Sequence, residues 1–337
     1  MILILTQSFD PHADHAIEML SARGAEFVRF DPADFPTLAS LSVGYSSHGK
    51  MQSHLRLGER VIDLTQLEAV WNRRPGLPIP HEQFQDKAVR EFIELECKTF
   101  VQDLWDTLPC RWLPGYPAAI QRAQLKASQL RIAAGLGLEL PPTLFTNNRE
   151  EFLEFYAQHN GNIVSKLVGA GFGRTVGAAA SVSRFTEVVS KRDVAYGASL
   201  QFCPVILQAY VPKRLELRIT VVGQNVFAAE IHSQQTHHTR HDWRRYDFSR
   251  TPHYPHPLPP EIEERCIRLV EQLELCYGAI DMILTPEGRY VFLEINPSGQ
   301  FLWIEEETGL PISAAICDFL MASKGAVHEP SFATSGA

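Results

Sequence analysis

Two apolar runs, each interrupted by a single acid, constrain this chain most. They are Ala279-Ile280-Asp281-Met282-Ile283-Leu284 and Tyr290-Val291-Phe292-Leu293-Glu294-Ile295-Asn296, separated by a Pro286-Glu287-Gly288 turn. Short runs of β-favouring residues on either side of a Pro/Gly turn read as an antiparallel strand pair. Glu294 and Asn296 are two apart, so their side chains share one sheet face. A carboxylate between Ile280 and Met282, or between Leu293 and Ile295, lies beside a core where an unpaired charge is costly. A bound cation removes that cost. Asp281, Glu294 and Asn296 are hard oxygen donors of the kind that suits Mg²⁺, which keeps several waters and is commonly shared with the phosphates of a substrate. The alternative, ordinary acids at a sheet edge, needs no ligand.

The rest of the composition sets bounds. With 337 residues, 45% hydrophobic and 21% charged, the chain can bury a sizeable core and divide into two or three lobes. Disordered and fibrous classes are excluded. A net charge of −8 gives no global attraction to nucleic acid or to an anionic membrane, so any anionic ligand must be drawn locally. Cysteines at 97, 110, 203, 266, 276 and 317 form no CxxC pair, which points to buried, reduced thiols and not to zinc or a redox dithiol. The apolar start Met1 to Leu5 lacks a basic flank, and no run approaches membrane-spanning length. A cytoplasmic protein is expected.

Hydrophobic periodicity orders the elements. Strand Ile2 to Leu5, an amphipathic stretch through Leu20 and strand Glu26 to Phe30 form a β-α-β unit. Short strands follow at Leu41 to Tyr45, Gln52 to Leu57 and Arg60 to Leu64, then a long helix carrying Ile93, Cys97, Phe100 and Leu104. One helix is predicted from about Ala118 to Ala134, with Lys126 inside it. Beyond Pro141-Pro142 come strand Thr143 to Phe145, a helix, strand Asn162 to Val168, a glycine-rich loop, strand Val176 to Val182, a short helix and strand Val205 to Val211. Strands Leu215 to Val222 and Val226 to Ser233, a polar loop, helix Glu261 to Leu275, the acid-bearing strands and a helix near Ile312 to Met321 complete the order. These patterns predict an α/β chain of α+β lobes, with boundaries at 1–115, 116–212 and 213–325 and a tail at 326–337.

Several motifs carry chemistry. Gly169-Ala170-Gly171-Phe172-Gly173-Arg174-Thr175 lies between two strands, whereas phosphate-binding fingerprints open onto a helix. It reads either as a flap whose backbone N–H groups and Arg174 cover phosphates, or as a plain hairpin connection. Lys166 sits inside an apolar strand just before it, where an anion would offset the cost of burial. In Leu215-Glu216-Leu217-Arg218-Ile219, Glu216 and Arg218 share one face, and a half-exposed strand with a surface pair would show the same alternation. The segment His232 to Asp247 concentrates base in an acidic chain. Its histidines match no standard zinc spacing, and Arg244 is suited to bidentate contacts with phosphate or carboxylate.

Taken together, Lys126, Lys166, the Gly169 to Thr175 loop, Gln208 to Val211, Glu216, Arg218, Arg244, Asp281, Glu294 and Asn296 resemble the ATP-grasp superfamily. Val70-Trp71-Asn72-Arg73-Arg74-Pro75, Asp242-Trp243-Arg244 and Asn296-Pro297-Ser298-Gly299-Gln300-Phe301 bring the resemblance closest to the microviridin or graspetide-type ligases that crosslink peptides. It implies an ATP-grasp fold behind an N-terminal α/β pre-grasp domain, with ATP and Mg²⁺ as cofactors. It places Lys126, Lys166, Gly171, Gly173 and Arg174 on the nucleotide phosphates, Gln208, Tyr210 and Val211 at adenine, and Glu216 at the ribose. It assigns Arg218 and Arg244 to the transferring phosphoryl group, and Asp281, Glu294 and Asn296 to the metal. Many grasp enzymes have glutamate where this chain has Gln208. Related enzymes read a basic residue of the precursor with acids on a helix, where Lys191-Arg192-Asp193 here offers mainly positive charge.

The implied reaction is phosphorylation of an Asp or Glu side chain of a ribosomally made precursor peptide, then attack by a hydroxyl or amine to give an ester or amide link. The expected partner is that peptide, with no nucleic acid and no membrane, and a homodimer is compatible with the sequence though nothing in it demands one. Two alternatives stay open. One is a small-molecule ligase like glutathione synthetase, or a glutamate ligase acting on a ribosomal protein; the other is a nucleotide-binding sensor without turnover.

Overall fold

The computed structural model describes residues 1–169, 186–233 and 251–322. The predicted strand Val176 to Val182, the histidine-rich segment from Gln234 and the tail from Ser323 lie outside them.

The first lobe is built on β1 (Ile2–Thr6), α1 (Pro11–Ala22) and β2 (Phe27–Phe30), then the meander β3 (Ala39–Tyr45), β4 (Met51–Leu57) and β5 (Arg60–Asp63), and then β6 (Ala69–Arg74), α2 (Lys87–Asp106) and β7 (Arg111–Leu113). A parallel sheet of order β2-β1-β6-β7 forms its centre. Both faces of β1 are covered, as parallel sheets require. Leu3 and Leu5 pack with Leu104 and Trp105 of α2. Ile2 and Ile4 join a second core that reaches Val222, Tyr277, Phe301 and Ile316 of the last lobe. The first lobe is thereby welded to the last through apolar contact, each buried Leu, Ile or Phe contributing about 1.5–3 kcal/mol.

Where a single helix was predicted near 118–134, two helices stand: α3 (Pro117–Ala123) and α4 (Lys126–Gly135). Leu125 leaves helical backbone at φ −76°, ψ 103°. Buried Gln129 fills the break. Its amide donates to the carbonyls of Ala123 (2.6 Å) and Ile295 (2.8 Å) and accepts from Ile295 N–H (3.1 Å). The interruption satisfies a helix end, pins the acid-bearing strand and leaves Lys126 as the first residue of α4.

The central lobe comprises β8 (Thr143–Thr146), α5 (Arg149–Gln158), β9 (Ile163–Lys166), β10 (Glu187–Val188), α6 (Lys191–Ala195) and β11 (Val205–Ala209), its described strands ordered β10-β9-β11-β8. Asn148 caps α5, accepting from Glu150 N–H at 2.7 Å. The final lobe holds β12 (Leu215–Val222), β13 (Asn225–Ile231), β14 (His253–Pro255), α7 (Pro260–Gln272), β15 (Tyr277–Leu284), β16 (Tyr290–Asn296), α8 (Leu302–Thr308) and α9 (Ile312–Met321), with described sheet order β14-β13-β12-β15-β16. Leu217, Ile219, Ile280, Met282, Phe292 and Ile295 pack beneath that sheet on Cys266, Leu269 and Val270 of α7.

All six cysteines are free thiols, and Cys203 is exposed, against the expectation of burial. Burial pushes the Cys266 thiol up to about 12 and Cys276 up to about 11, which keeps both inert. Among the described residues no helix is long and apolar enough to cross a membrane.

Candidate active site

Two sheet faces meet across an open cleft. From the central lobe come Val164, Lys166, Thr186 and Gln208; from the last lobe Glu216, Asp281, Ile283, Leu293 and Glu294; between them runs the connection Ala209, Tyr210, Val211 and Lys213. Strand alternation decides these placements. On β12, Leu215, Leu217, Ile219 and Val221 enter the core, which turns Glu216 and Arg218 to the other face. That face is covered as well: every residue of β12 is buried. The half-exposed strand with a harmless surface pair is therefore excluded.

Arg218 and Asp281 are register partners on β12 and β15, and the guanidinium donates to the carboxylate at 2.8 Å. Both side chains are nearly inaccessible. Asp281 in turn faces Glu294 on β16. A register shift follows at once, so that Phe292, not Leu293, pairs with Met282. The extra residue sends Phe292 and Ile295 to the core while Leu293 and Glu294 both reach the cleft, a re-aiming that bulges commonly perform beside functional sites. The Glu294 carboxylate holds the Lys126 ammonium. The isolated acids of the sequence thus have protein cations beside them, which offsets their burial without a metal. Asn296 stands two residues on, with its Oδ1 accepting from Ser298 N–H at 3.0 Å.

Sequence reasoning missed Lys213, which bonds Glu216 at 2.7 Å with both side chains 5% exposed. Arg73, within the Val70 to Pro75 run, has no role that the sequence alone assigns. Arg73 is buried at the end of β6 and donates to the Ser298 carbonyl at 2.8 Å, lies 3.5 Å from Asp10 and stacks 5.9 Å from the Phe301 ring. His12 accepts from Leu302 N–H at 3.2 Å, Tyr277 donates to the Gly299 carbonyl at 2.8 Å, and Arg218 reaches the Gln300 carbonyl at 3.4 Å. Two strands of the last lobe, β12 and β15, together with α1 and β6 of the first lobe, therefore fix the 298–302 segment beside Arg218. A Cβ on Gly299 would collide with Ala279 Cβ and come within 3.3 Å of Arg218, so this position needs glycine. The one signal in the sequence was the run of polar residues at the end of β6. Burial and the nearby Arg73 hold His12 down at about 3; burial raises the Asp10 carboxyl, but Arg73 and Thr6 bring it below the ordinary value overall.

Of the candidate residues, Lys126, Lys166, Gln208, Tyr210, Val211, Glu216, Arg218, Asp281 and Glu294 converge on or beside the cleft. Gly171, Gly173, Arg174 and Arg244 lie outside the described residues. The donor set fits a hard cation: two carboxylates face each other on adjacent strands, with an amide oxygen at the next same-face position. Among the described residues no group of three or more His, Cys, Asp or Glu could hold a metal.

Two sheets closing on a cleft with paired acids at one end and lysines along it define a nucleotide-dependent ligase of the ATP-grasp class. The family models agree: residues 1–119 match the MvdD pre-ATP grasp domain and residues 122–320 the RimK-like ATP-grasp domain. The chain belongs to this family of ATP-grasp ligases. Among solved structures it is similar to the macrocyclase MdnC bound with precursor peptide MdnA from Microcystis aeruginosa, at 32% identity over 95% of this chain and 98% of that one, TM-score 0.83. A Chryseobacterium gregarium RiPP-associated ATP-grasp ligase, in complex with ADP and a leader and core peptide, matches at 32% identity over 95% and 96%, TM-score 0.86. The macrocyclase MdnB from Microcystis aeruginosa matches at 35% over 95% and 98%, TM-score 0.78. Among curated proteins no relative matches.

Proposed function

We propose that this chain is an ATP-dependent macrocyclase that links side chains within a ribosomally made precursor peptide. A carboxylate is a poor acylating agent. An Asp or Glu oxygen of the peptide would attack the γ-phosphorus of ATP, giving an acyl phosphate and ADP; a Ser or Thr hydroxyl, or a Lys amine, would then attack the acyl carbon and expel phosphate. The product is an ester or amide with one water removed per link.

The observation that carries this reading is the buried Arg218–Asp281 pair beside the Glu294–Lys126 pair at one end of the cleft. A guanidinium already clamped by a carboxylate and a carbonyl offers fixed positive charge to a transferring phosphoryl group without reorganising, which is where most catalytic stabilisation arises. Lys166 and Lys126 would meet the nucleotide phosphates, joined by Gly171, Gly173 and Arg174. Gln208, Tyr210 and Val211 would border adenine, and Glu216 with Lys213 the ribose. Arg244 would join Arg218. Asp281, Glu294 and Asn296 would hold Mg²⁺, which when bound neutralises charge on the phosphates. Apolar Val164, Ile283 and Leu293 line the same cleft and would flank the flat faces of the base. Support for a peptide substrate comes from the precursor-bound state of MdnC and the leader- and core-bound state of the Chryseobacterium ligase.

The test is incubation of the purified chain and Mg-ATP with a short peptide rich in Thr, Ser, Asp and Glu encoded beside it. One water lost and one ADP released per link are expected. Consumption of free amino acids alone would replace this reading with a small-molecule ligase, and undiminished turnover by Asp281→Asn would remove the metal role.

A further inference from the structure

Gln208 lies on β11 directly opposite Thr143 of β8 and beside Val164 of β9, so these three side chains share the cleft-facing side of the central sheet. The Thr143 hydroxyl has a single proton. It goes to the Pro141 carbonyl, 2.8 Å away, which can only accept. Toward Gln208 the hydroxyl is therefore an acceptor, and the end of the amide that faces it must be the NH₂ group, as the 3.1 Å bond has it. Fixing one end of an amide fixes the other. Oε1 is left over, and among the described residues no donor is bonded to it. Gln208 is only 4% exposed, so this oxygen wants a donor from whatever enters the cleft.

We propose that Thr143 is the specificity-determining residue for the base. The chain Pro141 carbonyl, Thr143 hydroxyl, Gln208 amide is ordered by proton count and presents one acceptor at the edge of a slot walled by Val164, Ile283 and Leu293. A flat heterocycle with an exocyclic amine matches it. Adenine offers the N6 amine as donor, whereas guanine places the O6 acceptor at the same ring position, setting oxygen against oxygen. The inference rests on the nucleotide assignment above and adds to it a residue 65 positions from Gln208.

The full chain is titrated with Mg-ATP and, separately, with Mg-GTP, and the ratio of the two dissociation constants is compared among variants. Thr143→Val has nearly the same volume, removes both the acceptor and the proton, and lets the amide turn over. The ratio favouring ATP should fall at least about tenfold, the equivalent of about 1.4 kcal/mol. Adding Gln208→Glu to Thr143→Val should restore the preference, because a carboxylate has no donor end to present. A merely structural role for Thr143 would weaken both nucleotides together and would not be rescued. An unchanged ratio in Thr143→Val, or failure of the rescue, overturns the proposal. Equal binding of ATP and GTP by the unaltered chain overturns it while leaving the ligase reading intact, and binding of neither nucleotide overturns both.

Discussion

The two walls of the cleft differ in how they are held. In the last lobe β12 and β15 are buried along their whole length, with α7 beneath and the 298–302 segment above. In the central lobe the described strands are two to five residues long, and among the described residues their buried core cluster is Phe152, Ile163, Val189 and Leu207. The first wall carries the buried charges, Arg218, Asp281 and Glu216; the second carries the polar amide Gln208 and the lysine Lys166. A charge out of water needs a partner at fixed distance, which only a firmly packed frame maintains. Hydrogen-bond acceptance by a neutral amide demands less. Regions with few buried apolar contacts open at lower free energy, so the central wall is the one suited to admit a nucleotide.

The largest effect is expected from Arg218→Met. It removes the guanidinium bonded to the buried Asp281 carboxylate, which should lower stability by about 3–5 kcal/mol in denaturant titrations and turnover by roughly 10²–10³-fold in ADP release; a variant as stable as the original would show that this wall is not held by the pair. Leu207→Ala should cost about 2–5 kcal/mol and act locally: hydrogen exchange should accelerate across β8, β9 and β11 and hold steady across β12, β15 and β16. Equal acceleration in both would erase the contrast between the walls.

Glu294→Gln keeps the shape, and its side chain is partly exposed, so the fold should persist while the Mg²⁺ concentration for half-maximal ADP release rises by about tenfold or more. The smallest effect concerns pH. His12 stays neutral in the folded chain down to about 3, whereas the unfolded chain takes up that proton near the ordinary 6.5. Stability should therefore decline as pH falls from about 6.5, by about 1–2 kcal/mol on reaching pH 5. His12→Gln, which keeps an acceptor for Leu302 N–H, should flatten that part of the curve. Asp10, held below the ordinary carboxylate range, acts in the same direction but only near and below that range.

Much of the fold was legible because its signals are local. The termini of β12 and α9 follow directly from alternation and helical periodicity. The split at Gln124 and Leu125 was not legible, since helical residues run through it; the decisive group is Gln129, whose partners include a strand 166 residues away. Short β7 and α8 escaped because three or seven residues carry too little periodicity. In the site, Asp281 and Glu294 stood out as acids in apolar runs. Lys213 did not, because a lysine after a proline looks like any surface lysine until its burial is known.

By itself the sequence determined the acid-bearing strand pair, the face shared by Glu216 and Arg218, and a set of motifs specific enough to indicate the ATP-grasp class. Tertiary structure alone decided the partners: Arg218 with Asp281, Lys126 with Glu294, Arg73 with Ser298 and Thr143 with Gln208. The physical reason is distance along the chain. Periodicity reports which face a side chain takes, but what waits on that face is set by strand register and by the packing of elements 63 to 225 residues apart.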